Sequence, residues 1–240
     1  MPKKNKKKYE RKILKRLVSW NVNGIRAVAN KEALKWIDER ETDILCLQEI
    51  KALPEQIPED LFDKEYLQCH INSAEKKGYS GVCVLTKEKP LKVIDKTGIE
   101  KFDCEGRTLI LEYKNFVLFN CYFPNGQRDH GRVDFKLEYY KKILSLYKKY
   151  IKDGKNVIIT GDFNCTPNSP TLRYFAEQGF VFVEKGEDNL SFQGSSQSEI
   201  DHLIYRNTDH VKFEKKSIRL LNEHVVSDHR PLIVELEVEF

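Results

Sequence analysis

The apolar residues of this chain fall into short continuous or alternating runs, which is the spacing of β-strands. Eight runs predict strands: "RLVSW", "DILCLQE", "YSGVCVLT", "TLILEY", "FVLFNCY", "NVIITGD", "IDHLIY" and "PLIVELEVEF". Lys114 and Asn115 alone separate two of these runs, and they predict a two-residue hairpin turn. The chain is therefore expected to be rich in strands.

Helical spacing of apolar residues is confined to three segments, residues 30–40, 135–151 and 170–178. Asn30, Asp134 and Ser169 stand at their starts and are the expected N-caps, because such side chains accept hydrogen bonds from the first turn. Pro170 suits the first helical position, and Gly179 predicts the end of the third helix. Many strands with few helices predict two packed sheets flanked by helices, and residues 13–240 are expected to form one domain.

The net charge of +4 is unevenly distributed along the chain. Residues 1–16 hold nine lysine and arginine residues and one glutamate, so this segment carries +8 and the remainder about −4. Residues 1–12 have almost nothing to bury and predict a disordered basic arm, either a phosphate-attracting segment or a solubilising tail. Because the chain after residue 16 carries a net negative charge, it is not expected to have a generally basic surface that coats DNA. Binding to nucleic acid would need a local basic groove beside a cluster of acids.

The six cysteine residues show no CxxC pair, and Cys46, Cys83 and Cys121 lie inside apolar runs. Buried, reduced thiols are usual in such runs, so we predict neither disulfides nor a zinc site. The sequence has no stretch of 18 apolar residues, and its first residues lack the apolar segment of a signal peptide. We expect an intracellular protein without a membrane partner, in the cytoplasm or nucleoid, or in the nucleus of a eukaryote.

Polar residues that carry chemistry recur where the predicted strands begin or end. A single asparagine or aspartate at such a place is usually only a turn former. Six strand ends with such residues argue instead for one site, since strand ends along one edge of a sheet sandwich can converge. The residues are Asn21, Asn23, Glu49, Tyr122, Asn125, Asp162, Asn164, Asp201, Asp228 and His229.

Eight short motifs occur in order along the chain: "SWNVNGIRA", "LCLQEIK", "KGYSGV", "EGR", "YFPNGQR", "GDFN", "ID" and "SDHRP". Together they resemble the exonuclease III family of abasic-site endonucleases, within the endonuclease/exonuclease/phosphatase superfamily, over most of residues 17–235. The resemblance implies an α/β fold, a four-layer sandwich of two mixed sheets packed face to face between helices. It also implies a monomeric hydrolase dependent on Mg²⁺, with Mn²⁺ as an alternative. The implied substrate is duplex DNA, cut 5′ to abasic sites and trimmed at blocked 3′ ends.

The resemblance also assigns roles to single residues. A hard cation would be held by Glu49, with Asn21 and Asp228 close to it. Asp162 and Asn164 match the pair that orients the attacking water and holds the phosphate, while Asp201 orients His229 against the scissile phosphate. By the same resemblance, Tyr122 is a catalytic residue that contacts the phosphate. The substrate-binding residues by resemblance are Asn125, Asn23, Arg26, Arg128 and Phe192; position 23 is an aspartate in some relatives, which implies a less acidic metal site here.

The chain departs from its relatives between "GDFN" and "ID", where a long tryptophan-containing loop usually walls the pocket for the abasic sugar. Here the interval is compact, and Phe192 is the residue of "LSFQGSSQSEID" that resembles the wall. Three functions therefore stay open: an abasic-site nuclease, another phosphoesterase, and a nucleic-acid-binding module without catalysis. The second class includes tyrosyl-DNA phosphodiesterases, RNA nucleases and small phosphoester hydrolases. A protein of the third class is expected to lack one of the catalytic carboxylates or the histidine, and this sequence keeps all of them.

Overall fold

The computed structural model describes residues 13–30, 42–57, 68–126, 132–183, 185, 189–207, 214–220 and 226–238. The predicted basic arm (1–12), Arg128 and nearly all of the predicted helix 30–40 lie outside these residues. No helix within the described ranges is both long enough and apolar enough to cross a membrane.

The strands of the described part of the chain are β1 (Ile13–Asn21), β2 (Ile44–Gln48), β3 (Gln68–Asn72), β4 (Val82–Thr86), β5 (Lys92–Ile94), β6 (Thr108–Glu112), β7 (Phe116–Tyr122), β8 (Asn156–Asp162), β9 (Val181–Phe182), β10 (Asp201–Arg206), β11 (Glu214–Leu220) and β12 (Leu232–Val238). The helices are α1 (Ile25–Asn30), α2 (Glu100–Asp103), α3 (Val133–Lys152) and α4 (Pro170–Glu177), with a 3₁₀ turn at Pro54–Gln56.

These strands form two mixed six-stranded sheets. The first sheet has the order β11-β12-β1-β2-β4-β3, and the second has the order β5-β6-β7-β8-β10-β9. Strands β1 and β2 pair in parallel, as do β7 and β8, whereas the other neighbours are antiparallel. The predicted hairpin turn at Lys114 and Asn115 is confirmed, because Glu112 pairs with Val117 on either side of it.

Apolar side chains of both sheets meet in a central core, which includes Leu17, Val84, Leu118 and Ile158. Two further cores lie on the outer faces. Helix α1 packs against the first sheet through contacts that involve Trp20, and α3 packs against the second sheet through Tyr140, Ile143 and Tyr147. Burying a large apolar side chain stabilises a fold by about 1.5–3 kcal/mol. The packing order is helix, sheet, sheet, helix, which confirms the predicted four-layer sandwich.

The helix starts only partly follow the prediction. Ser169 caps α4 as expected, since its Oγ accepts a hydrogen bond from the Leu172 backbone at 3.3 Å, and Gly179 follows the helix with a φ of +83°. Asp134 as the cap of α3 was wrong. That helix begins at Val133, two residues earlier than predicted, with Arg132 at the cap position and no side-chain capping bond. Asp134 instead lies in the first turn, where a carboxylate still favours the positive end of the helix dipole.

Strand pairing carries the polar strand ends to one edge of the sandwich. Asn21 at the end of β1 pairs with Gln48 at the end of the parallel strand β2. In the second sheet, Asp162 at the end of β8 pairs with Tyr122 on one side and with Asp201 on the other. Gly161 has a φ of +134°, and a Cβ atom there would lie 2.0 Å from the carbonyl oxygen of Cys121. The close approach of β8 to β7 beside Asp162 therefore requires glycine at position 161.

Candidate active site

A cleft of about 760 Å³ opens at this edge of the sandwich. Most of the residues singled out in the sequence line it: Asn23, Glu49, Tyr122, Asn125, Asp162, Asn164, Phe192, Asp228 and His229. Asn21 and Asp201 lie beneath its surface, 0% and 2% exposed, and contact the lining residues through hydrogen bonds. The structure thus brings together strand ends that are up to about two hundred residues apart in sequence.

Glu49 is held from several sides. Asn21 Nδ2 donates to Glu49 Oε2 at 3.0 Å, the Lys51 ammonium lies 2.9 Å from Oε1, and the Tyr122 hydroxyl also bonds to the carboxylate. Burial alone raises the pKa of Glu49, but the hydrogen bonds from Lys51 and Asn21 and the charge of Lys51 lower it more. The net pKa lies below the ordinary value, so Glu49 faces the cleft as a carboxylate. Its φ of +55° is a strained conformation of the kind found at functional sites.

Asp162 ends β8 in a tight turn. Its Oδ1 accepts from the Asn164 backbone at 2.8 Å, and its Oδ2 accepts from Asn21 Nδ2 at 2.9 Å and Asn164 Nδ2 at 3.2 Å. Asn164 has a φ of +50° and also donates to the Phe123 carbonyl. Burial and the nearby Asp201 charge raise the pKa of Asp162 to about 7, against lowering effects of His229 and these hydrogen bonds. A carboxylate with such a pKa is suited to accept a proton near neutral pH.

His229 and Asp201 form a buried pair beside Asp162. The two bond through His229 Nδ1 and Asp201 Oδ2 at 2.8 Å, while His229 Nε2 lies 3.9 Å from Asp162 Oδ2. Burial lowers the pKa of His229, but Asp201 and then Asp162 raise it to about 10, so the ring is an imidazolium. Burial raises the pKa of Asp201, but the charge and the hydrogen bond of His229 lower it more, which keeps Asp201 ionised. The Trp20 indole fixes the histidine backbone by donating to its carbonyl at 2.8 Å.

Cations on the cleft wall were not identified from the sequence: Lys51, Arg107, Arg132 and Lys136. Arg107 is 3% exposed; its guanidinium donates to the Tyr122 carbonyl at 3.0 Å and lies 4.7 Å from the Tyr122 ring centre. It also donates to the Tyr79 hydroxyl at 2.9 Å. The motifs "EGR" and "KGYSGV" contain Arg107 and Tyr79, and they were the available signal. These cations lie beside the acids of the cleft, and Glu105 pairs with both Arg107 and Arg132.

The residues that build this cleft lie within a region shared with known proteins. The sequence profile of the endonuclease/exonuclease/phosphatase family matches residues 18–229. The chain belongs to that family. An exodeoxyribonuclease of Bacillus subtilis (strain 168) is 41% identical over 150 residues, which cover 62% of this chain and 58% of that protein. A DNA-(apurinic or apyrimidinic site) endonuclease of Dictyostelium discoideum is 37% identical over 150 residues, covering 62% and 41%. The chain spans about half the length of these relatives.

The fold of this family is also found in a 3′ phosphatase, NExo, from Neisseria, solved bound to product DNA hairpin. The two structures superpose with a TM-score of 0.78 over 93% of this chain and 100% of the other. Their sequences are 17% identical, so the likeness concerns the fold alone.

The wall beside His229 in this family member is built on Phe192. Phe192 forms β-bridges to Ser198 and His229, and its ring centre lies 5.0 Å from that of His229. Gly194 accommodates the ring, since a Cβ at that position would lie 2.2 Å from Phe192 Cζ. Ser196, Ser198 and Ile200 complete this wall. The wall therefore combines one aromatic and one aliphatic side chain with hydroxyl groups.

Of the predicted site residues, Arg26 lies outside the cleft. Arg26 is exposed and lines a neighbouring depression that shares Lys51 with the cleft. Arg128 lies outside the described residues, so its predicted DNA contact stays a prediction. Asp228, predicted near the metal, lines the cleft and accepts from Asn23 Nδ2 at 3.0 Å. The Asn23 backbone in turn donates to Asn21 Oδ1 at 3.0 Å, which links Asp228 to the residues around Glu49.

Proposed function

We propose that this protein is a divalent-metal-dependent hydrolase of DNA phosphodiester bonds, which cuts on the 5′ side of abasic sites and processes blocked 3′ ends. The observation that carries the proposal is the meeting of an ionised Glu49, a proton-accepting Asp162 and a charged His229 in one cleft with a cationic wall. Phosphodiester hydrolysis needs an activated water and neutralisation of the phosphoryl charge, and these groups supply both.

The donor atoms on the Glu49 side of the cleft suit a hard cation. They are the carboxylates of Glu49 and of the neighbouring Asp162, oxygen donors of the kind Mg²⁺ prefers and Mn²⁺ accepts, and Asn21 Nδ2 donates to both and so positions them. Asp162, Asp201 and His229 also lie close enough to share an ion, but the last two are already hydrogen-bonded to each other. We therefore assign the cation to the Glu49 carboxylate, which Asn21 positions, where it would neutralise phosphoryl oxygens.

The remaining steps fall to the protein's own side chains. Asp162, held in place by Asn164, orients a water and accepts its proton as the water oxygen bonds to phosphorus. The bond from phosphorus to the 3′ oxygen breaks; that oxygen takes a proton from solvent water and becomes a 3′-hydroxyl, and Asp162 later releases its proton to solvent. His229, oriented by Asp201, donates a hydrogen bond from Nε2 to a phosphoryl oxygen, where negative charge increases in the transition state. Tyr122 and Asn125 are proposed to hold the same phosphate.

DNA as the substrate is supported by the names of the relatives and by the cations of the cleft. The basic segment 1–12 would add attraction to phosphates that is independent of sequence. Processing of 3′ ends is favoured by the wall beside His229, because Ser196 and Ser198 make it less apolar than a pocket dedicated to an abasic sugar. We expect the protein to act as a monomer whose residues 13–240 form one catalytic domain.

The test is an incision panel with the purified protein. Duplexes carrying an abasic site, uracil, a 3′-phosphate or a 5′-tyrosyl group are compared with undamaged DNA and with RNA, each with Mg²⁺ and with EDTA. The proposal expects Mg²⁺-dependent cleavage of abasic and 3′-blocked DNA. A preference for the 5′-tyrosyl substrate or for RNA would assign the protein to another phosphoesterase class. Binding without cleavage on every substrate would contradict catalysis altogether.

A further inference from the structure

A second set of buried polar groups lies behind the active site, on the opposite face of β10. Strand alternation points Asp201 toward the cleft and the next residue, His202, toward the outer face of the sheet. His202 is 3% exposed, and the Lys185 side chain beside it is fully buried. Lys185 Nζ lies 2.6 Å from Glu199 Oε1 and 3.2 Å from His202 Nδ1. None of these three residues belongs to the mechanism described above.

The partners of His202 determine where its proton lies. His202 Nε2 is 2.9 Å from the Cys165 carbonyl oxygen, which can only accept, so Nε2 carries the hydrogen. His202 Nδ1 faces the Lys185 ammonium, which can only donate, so Nδ1 presents its lone pair. Burial, and then the charge of Lys185, lower the pKa of His202 to about 3. The hydrogen-bond partners and the charge of Lys185 therefore both keep the His202 ring neutral. Its Nε2–H donates to the Cys165 carbonyl.

The acceptor of this hydrogen bond belongs to the turn that presents Asp162 and Asn164. Three consecutive carbonyl groups of that turn each receive a side-chain donor: Phe163 from the Tyr140 hydroxyl, Asn164 from the Lys136 ammonium, and Cys165 from His202. Two of the donors come from α3 and the third from β10. The turn contains the strained φ of +50° at Asn164, so it needs external contacts to hold its shape.

The geometry points to His202 as a positioning residue, whose neutral imidazole, oriented by Lys185, holds the Cys165 carbonyl and with it the turn that carries Asp162 and Asn164. The expected change in rate rests on the proposed function, whereas the expected hydrogen bond and the position of the His202 proton do not. Loss of the bond would let the turn shift, and small displacements of catalytic groups reduce the rate of the chemical step more than substrate binding.

The structural part is tested by NMR of the protein labelled with ¹⁵N in its histidine rings. The His202 signals are identified by their absence from His202→Gln. We expect a protonated Nε2 and an unprotonated Nδ1 that do not titrate between about pH 5 and pH 8, because the pKa of His202 is about 3. Protonation at Nδ1, or titration within that range, would overturn the inference whether or not the protein cleaves DNA.

The kinetic part compares three variants in single-turnover cleavage. His202→Phe keeps the ring volume but loses both hydrogen bonds, and it should lower kcat by about 10- to 100-fold with KM changed by less than about 3-fold. His202→Gln keeps a donor near Nε2 and should recover kcat to within about 5-fold of wild type. Thr86→Val is the matched control, since it removes a buried hydrogen bond to Tyr113 remote from the cleft.

Rates are referred to folded protein, measured by thermal unfolding. If His202→Phe lowers kcat no more than Thr86→Val does, or if His202→Gln gives no recovery, His202 has a structural role only and the inference is overturned. If the wild-type protein cleaves no DNA, the proposed function fails while the NMR result still decides the position of the proton.

Discussion

Replacing Asp201 by asparagine tests the electrostatics of the active site with little change in shape. Asp201 is 2% exposed, and its carboxylate bonds to His229 Nδ1 at 2.8 Å. Burial lowers the pKa of His229, and Asp201 is the main group that raises it, to about 10. The amide oxygen in the Asp201→Asn variant would still accept the hydrogen bond, but the amide carries no charge. The pKa of His229 should therefore fall back toward its ordinary value of 6.5.

The size of the effect follows from the protonated fraction of His229. With a pKa near 6.5, about 3% of the imidazole is charged at pH 8 and about half at pH 6.5. Asp201→Asn should therefore lose about 30-fold in kcat at pH 8 and only about 2-fold at pH 6.5, if the imidazolium is the active form. Removing the Asp201 charge also lowers the pKa of Asp162, so a larger fraction of Asp162 is ionised at low pH in the variant. This effect also makes the loss in kcat smaller at pH 6.5 than at pH 8.

The assay is single-turnover cleavage of an abasic duplex between about pH 6 and pH 9 at saturating Mg²⁺, with DNA affinity measured by fluorescence anisotropy. Asp228→Asn is the matched control, because its carboxylate lines the same cleft but contacts Asn23 rather than the histidine. Asp228 raises the pKa of His229 less than Asp201 does, so Asp228→Asn should show a much weaker pH-dependent ratio to wild type. A loss in Asp201→Asn that is equal at all pH values, or no loss at pH 8, would refute the charge argument.

Three further outcomes are expected. Glu49→Gln should slow hydrolysis by at least about 100-fold and raise the Mg²⁺ concentration needed for half-maximal rate; unchanged turnover in EDTA would exclude this metal site. Deleting residues 2–12 should weaken DNA binding and flatten its salt dependence without changing the rate at saturation; an unaltered salt slope would show that the segment does not contact phosphate. Phe192→Ala should reduce kcat/KM on abasic duplex by about 5- to 150-fold relative to undamaged duplex at one salt concentration, and an unchanged ratio would mean that another segment forms the pocket.

The strands that the sequence predicts correctly have continuous apolar runs or, as in β12, strict alternation. Strands β2, β4 and β8 are buried along their whole length, so nearly every position is apolar or small and the pattern is unambiguous. Strands β3 ("QCHIN") and β11 ("EKKSIRL") were missed because both are polar strands, each with one neighbouring strand among the residues that the structure describes. Pairing with that neighbour, rather than local composition, defines them.

The acids, amides and histidine of the site were recognised because they stand at strand ends, where an apolar run stops abruptly. The cations of the cleft gave no comparable signal. Lysine and arginine make up 41 of the 240 residues, so Arg107 and Lys136 do not differ from solvated charges until the fold places them beside Tyr122 and Asn164. The hydrogen bond from His202 to the Cys165 carbonyl could not be predicted from the sequence either. It joins residues 37 positions apart, which the pairing of β8 with β10 brings together.

Cleavage in H₂¹⁸O tests whether the protein hydrolyses the phosphodiester bond 5′ to an abasic site in a metal-dependent reaction. An abasic duplex is incubated with wild-type protein and Mg²⁺ in labelled water, and both fragments are analysed by mass spectrometry. We expect one fragment with a 3′-hydroxyl and another whose 5′-phosphate carries one ¹⁸O atom, with no product in EDTA. An unlabelled phosphate, or a fragment with an unsaturated 3′ sugar as β-elimination leaves, would contradict it.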